Sequence, residues 1–208
     1  ITMTRLKIAP LTNIFGVALI ATVLLVAGAG VLAINTLKVG GPLYNRIVLG
    51  KDLVADILPP PDYIIESYLE ATLTLNDPAT VEAHAQRLIQ LRSEYDLRRD
   101  FWSTSPLDPT LRDMLVKDSH QHVQRFFDQL DGTFLPALRA GDLDTAHHSY
   151  EKLSAAYGAH RAIVDQIVAG ANAMNSATEA DAAAQGSTFM LVVWIAVALG
   201  LVVTISGV

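Results

Sequence analysis

Polar residues are bunched along this chain. No charged side chain lies between Lys7 and Lys38, and none follows Asp181 as far as Val208. Residues 13–35 and 188–208 fill those gaps with Leu, Val, Ile, Ala and Gly. Each run is about 20 residues, the length a helix needs to cross a hydrocarbon layer of ~30 Å. Between them the apolar positions keep helical period, and no stretch sustains the alternation of a strand. Leu143, Ala146, Tyr150, Leu153, Tyr157, His160, Val164, Ile167, Ala171 and Met174 step by three and four. Val116, His120, Val123, Phe127, Leu130 and Phe134 do the same, as do Val81, Ala85, Leu88, Arg92, Tyr95, Arg99 and Trp102. Such stepping marks the seams of helices packed side by side with a left-handed twist.

Turn residues divide the middle into four helices. Asp77-Pro78 and Asp108-Pro109 each place an N-cap before a proline at the first helical position, and Gly141-Asp142-Leu143-Asp144 closes one helix and caps the next. The expected helices are 36–75, 79–102, 109–140 and 143 onward. Short connections make neighbours antiparallel. The expected fold is therefore all-α: an up-down-up-down four-helix bundle over 36–187, between transmembrane helices at 13–35 and 188–208, after a short tail at 1–12. Its first and last rods should run unbroken into the spans. Residues 168–187 are almost all small, which suits either a slender stalk or a weakly packed helix end.

The stretch DILPPPDYIIESYLEA (56–71) breaks the first of these helices. Each interior proline removes a hydrogen bond and clashes with the carbonyl four residues back, so Pro59, Pro60 and Pro61 exclude a regular helix. The seam Leu43, Ile47, Gly50, Val54, Ile57 nevertheless resumes in phase as Ile64, Tyr68, Ala71, Leu75. One long helix kinked at the triple proline is expected, the alternative being a plain loop and five helices.

Composition sharpens this picture. The 208 residues are 51% hydrophobic and 17% charged, with a mean hydropathy of +0.33, more apolar than an ordinary soluble domain. Arg5 and Lys7 precede the first span, which places the N-terminus in the cytoplasm and the middle outside. The first apolar run is longer than a signal-peptide core, so an uncleaved anchor is expected. All 21 acidic residues but only 13 of the 15 basic ones fall in 35–187, a net charge of −8. That balance repels nucleic acid and anionic lipid surfaces. Cysteine is absent, which excludes disulfides and thiolate chemistry. His120 and His122 are two apart and His147 and His148 adjacent, so neither pair shares a helix face. No nucleophile–base pair, phosphate loop or metal motif stands out, and no cofactor is expected. Gly40-Gly41-Pro42 is a hinge candidate, and Trp102 a core plug.

Height along the helices brings the remaining candidates together. At about 1.5 Å per residue, the proline break falls level with Tyr95, with Lys117 to His120 and with Ile163 beside His160. Arg92, Arg99, His120 and His160 thus occupy interior seam positions at one level, where they must be paired or must line a polar cavity. The expected site is a pocket with proline-freed carbonyls and Tyr63 on one wall, Arg92 and Arg99 supplying charge, and Tyr95, His120 and His160 supplying hydrogen bonds. Two arginines suit an organic acid or another small anion. The alternative is that they pair with Asp56, Asp62 or Glu66 and nothing enters.

Three stretches carry a resemblance: VGGPLYNRIVLGKDLVADILPPPDYIIESYLEA (39–71), RLIQLRSEYDLRRDFW (87–102) and AYGAHRAIVDQI (156–167). With the span–bundle–span layout, they resemble the sensory half of methyl-accepting chemotaxis receptors. The resemblance implies a two-pass protein of the bacterial inner membrane with a periplasmic sensor, a homodimer partner and a small-molecule ligand. It also implies a continuation beyond Val208 into a HAMP domain and a signalling hairpin that controls a cytoplasmic kinase complex, and no enzymatic activity of the sensor itself. Better-known relatives hold an amino-acid carboxylate with arginines high on the first helix. Residues 62–75 contain no arginine, so that arrangement does not carry over. Two other readings stay open: the input domain of a sensor histidine kinase or cyclic-dinucleotide synthase, and a membrane-anchored bundle with no ligand.

Overall fold

The computed structural model describes residues 8–57 and 62–206, and every regular element among them is helical. The protein is all-α. Helix α1 spans Ile8–Leu37, α2 Pro42–Ile57, α3 Asp62–Asn76 and α4 Val81–Thr104. Then come α5 (Pro109–Asp113), α6 (His120–Gln129), α7 (Leu135–Ala140) and α8 (Leu143–Ser206). Two π-helical segments, Met114–Ser119 and Leu130–Phe134, join α5 to α6 and α6 to α7, so 109–140 forms one rod. Pro136 accounts for the second: it lacks the amide that the Gly132 carbonyl would bond in a regular helix, and its ring crowds that carbonyl. No proline or glycine accounts for the first.

The helix boundaries correct three expectations. The first rod does not run unbroken out of α1: residues 38–41 form a turn in which Gly40 has φ 80°. Glycine takes this left-handed backbone without a steric penalty. Asp77 makes no side-chain cap, because Pro78–Thr80 is a 3₁₀ turn and α4 starts only at Val81. The Asp77 carbonyl instead accepts from the Thr80 amide (3.1 Å) and hydroxyl (2.6 Å). The other two punctuation points hold as read. Asp108 accepts from the amides of Thr110 and Leu111, and Gly141 at φ 74° ends α7 while the Asp142 carboxylate takes the Thr145 amide. The third correction is Leu143, which heads the last seam yet is exposed. The triple proline lies outside the described residues.

The chain divides into two units. In the unit Ile1–Val48 with Ser176–Val208, Ala196 of α8 is buried and the Gly200 backbone approaches Thr22 of α1. Large apolar side chains face outward, Val17, Ile20, Leu24, Leu191, Trp194 and Leu201 among them. Two helices of the protein are long and apolar enough to cross a membrane.

In the unit Leu49–Asn175 the helices pair in opposite directions, as their polar contacts record. Glu66 of α3 holds Arg87 of α4, and Glu70 holds His84 one turn away. Glu82 of α4 meets Arg139, Arg92 meets Asp131, and Tyr95 meets His120. Tyr68 and Thr72 of α3 reach Ser154 and Tyr150 of α8, and Gln129 of α6 reaches Ser149. Two apolar clusters fill the space between. One gathers Ile64, Ala71, Leu88, Val123, Phe126, Phe134 and Leu153. The other gathers Leu53, Trp102, Leu111, Val164, Ile167 and Ala171. Each fully buried Leu, Val or Phe contributes about 1.5–3 kcal/mol. The helical seams thus act as the core in two pieces, with a polar level between them.

Candidate functional site

That polar level can be read on each helix. On α4 it falls between Leu91 and Trp102, on the rod between Leu111 and Val123, and on α8 between Ala156 and Val164, all of which are buried. The side chains there are Arg92, Tyr95, Asp96, Arg99 and Asp100 on α4, Ser119 and His120 on the rod, and His160 on α8.

Arg92, Tyr95 and Arg99 lie three and four residues apart, hence on one face of α4. His120, Gln124 and Phe127 do the same on α6. The two faces enclose an open cavity of about 400 Å³, with Asp96 and Asp100 at its α4 edge and Val123 and Phe127 forming its apolar floor. Arg92 lies over the Phe127 ring at 5.1 Å and donates to Asp131 at 2.8 Å. Its side chain is 44% exposed, so it edges the cavity rather than entering the interior as the seam implied. Leu91 takes the buried position instead. A guanidinium keeps its charge in water while its stem covers apolar surface.

Arg99 is the centre of the site. Its Nη2 donates to Asp100 at 2.8 Å, Asp96 stands 3.7 Å away, and its Nη1 lies 2.7 Å from Nε2 of His120. A guanidinium only donates, so Nε2 must be the bare nitrogen and the ring proton sits on Nδ1. Nδ1 lies 3.0 Å from the Tyr95 hydroxyl and donates to its oxygen. The relay therefore runs Arg99 to His120 to Tyr95, and it leaves the tyrosine O–H as a donor at its end. Burial, then the adjacent Arg99 charge, lower the His120 pKa and keep the ring neutral, while Asp96 and Asp100 pull the other way. Burial also raises the Tyr95 pKa, so its proton stays in place.

Of the six residues expected at one pocket, the structure sets Arg92, Tyr95, Arg99 and His120 around this cavity. His160 is not among them. It is 3% exposed, in the core behind the rod, and both its ring nitrogens lack a hydrogen-bond partner of normal geometry among the described residues. The Ser119 backbone acts on the ring, but burial outweighs it and lowers the His160 pKa to about 4. The Tyr63 side chain lies outside the described residues, and Ala55 and Asp56, whose carbonyls the prolines are expected to free, sit at the end of α2 and do not line the cavity. The walls of the cavity come from α4 and α6, not from the first and last helices.

The alternative pairing goes to other arginines. Asp56 is held by Arg98 and by the Trp102 indole N–H (3.0 Å), and Glu66 by Arg87. Arg98 and Trp102 lie four apart on the flank of α4 that meets Asp56 of α2, so two neighbouring arginines, Arg98 and Arg99, serve different sides of one helix. The sequence reading missed Asp96, Asp100 and Gln124. The helical spacing of Gln124 from His120, and of Asp96 from Arg92 and Arg99, was the signal that could have found them. Among the described residues no three His, Cys, Asp or Glu side chains are grouped to hold a metal ion.

Comparison of the chain with protein families, with curated proteins and with solved structures gave no match.

Proposed function

We propose that the chain is the sensory module of a transmembrane receptor. It is an up-down-up-down four-helix bundle on the periplasmic side of a bacterial inner membrane, anchored by two crossing helices, that binds a small anion such as an organic acid. The observation that carries this reading is the cavity between α4 and α6, where Arg92, Tyr95, Arg99 and His120 converge over an apolar floor. The opposed pairings of α3 with α4, α4 with the rod and α8 with α3 support the bundle. The two span-length apolar helices, Arg5 and Lys7 before the first, and the acidic middle support the membrane topology.

An anion entering this site meets Arg99 first. Asp100 is 69% exposed, and such surface pairs are worth only about 0–1 kcal/mol, so it yields the guanidinium at little cost. His120 directly follows the π-helical segment Met114–Ser119, and Ser119 lies against His160 of α8. Drawing α4 and α6 together at His120 therefore presses on α8, a single helix from Leu143 to Ser206. Packed helices answer such pressure with translations of about 1–2 Å, and the ligand signals by binding one arrangement better than the other. The resemblance to methyl-accepting chemotaxis receptors makes chemotaxis, as a homodimer acting on a cytoplasmic kinase complex, the output of this module.

Thermal unfolding of the full chain in lipid nanodiscs, with a panel of small organic acids, tests the reading. At least one acid is expected to raise the melting temperature, an effect lost in Arg99→Ala and kept in Arg125→Ala. No shift with any acid would overturn it.

A further inference from the structure

We propose that anion binding between α4 and α6 is coupled to uptake of one proton at Nε2 of His120. The inference rests on the anion-binding reading above and adds to it how the site is regulated.

The geometry sets up two states. As the structure stands, Nε2 is an acceptor, filled by Arg99 at 2.7 Å, and the ring is neutral. It cannot gain a proton there without losing Arg99, because two donors would face each other. An anion removes that obstacle. It draws the Arg99 guanidinium to itself and leaves Nε2 without a partner in a half-buried position. A protonated Nε2–H then becomes a second donor to the same anion, with Nδ1–H still held on Tyr95. The proton comes from solvent and no covalent bond other than N–H forms. With a monovalent anion, one negative charge and one proton enter together, so the site's net charge is unchanged by binding.

Among the described residues, the charged groups that act on His120 stand on α4. Arg99 favours the neutral ring, and Asp96 and Asp100 favour the charged one. Both carboxylates are engaged with Arg99. When the anion takes Arg99, both that hydrogen bond and the repulsion it exerts are offset, and the balance tips to the imidazolium. His122 and Arg161 act on His160 rather than on His120, which makes His122 a control on the same rod.

The consequence is an anion affinity that rises as pH falls, by up to about tenfold per pH unit while the empty site is neutral and the filled one charged. The test is isothermal titration of the full chain in nanodiscs with pyruvate, benzoate and sulfate, whose charge is constant over the range, at about pH 6 to 8. Repeating each titration in two buffers of different ionisation heat counts the protons. The expected result is close to one proton taken up per anion near neutral pH. His120→Asn and His120→Gln should bind more weakly, with no uptake and a flat pH profile, and His122→Asn should behave as wild type. Binding without proton uptake in the wild type overturns the coupling and leaves the anion site standing. Uptake that persists in both His120 variants overturns the role of His120. Failure of all three probes to bind at any pH overturns the anion site and the coupling with it.

Discussion

His160 shows how one residue can burden a core. Its ring lies buried with neither nitrogen hydrogen-bonded among the described residues, and desolvation lowers its pKa from 6.5 to about 4. As pH falls, the unfolded chain accepts this proton first and the folded chain resists it. The contribution of His160 to stability is therefore expected to decline from about pH 6.5 to about 4 and to level off below, by a total of about 3 kcal/mol. His160→Leu should flatten most of that slope and be neutral or stabilising near pH 7. Urea unfolding midpoints across the range check this, and equal slopes in both proteins would contradict it. From sequence alone the residue read as a site ligand, because a histidine on a seam looks the same whether its ring borders a cavity or lies buried in the core. Trp102 was easier. A large indole on a seam is a core residue, and it is buried with its N–H satisfied by Asp56.

At the level of elements, close approach is set by what a position lacks. A Cβ on Gly50 of α2 would stand 2.2 Å from Oδ1 of Asn175 on α8, itself buried and without a partner among the described residues. Gly50→Ala is expected to cost about 1–3 kcal/mol from overpacking, although alanine favours helix. Asn175→Ala alone should be close to neutral, and adding it to Gly50→Ala should restore most of the loss. A double-mutant cycle by denaturant unfolding reads the coupling directly, and additive effects would rule the contact out as the cause. The glycine was visible as a seam position, but nothing local identified its partner 125 positions away. The π-helical segments were equally hidden. They replace expected α-helix in the rod, and only Pro136 hints at one of them.

For the whole molecule, the absence of cysteine is an experimental advantage. Single cysteines at exposed Ser103 or Gln121 provide the only thiol on the chain. In intact cells both are expected to react with a membrane-impermeant maleimide, as a periplasmic middle domain requires. Labelling only after lysis would place that domain in the cytosol and remove the receptor reading. The charge asymmetry that motivates this test was fully legible, since it needs only the positions of Arg5, Lys7 and the acidic residues. The site was legible in part. Helical spacing put Arg92, Tyr95 and Arg99 on one face, and counting rise per residue set them level with His120. The same arithmetic treated every seam residue as interior, so it drew Arg92 inward and could not separate His120 from His160.

What the sequence determined by itself is whatever depends on period and on runs. The helical character, the two apolar segments of membrane length, the main breaks at 76–78, 105–108 and 141–142, and most of the buried seam all follow from them. These are properties of one chain segment at a time, fixed by backbone geometry and by the cost of placing charge in an apolar setting. The tertiary structure decided which arginine meets which carboxylate, which histidine borders a cavity, and where two helices approach within one methyl group. Those outcomes depend on the rotation of each helix about its own axis, and residues one position apart, such as Arg98 and Arg99, point about 100° away from each other. That rotation is set by the packing of all the neighbours at once, which no single segment encodes.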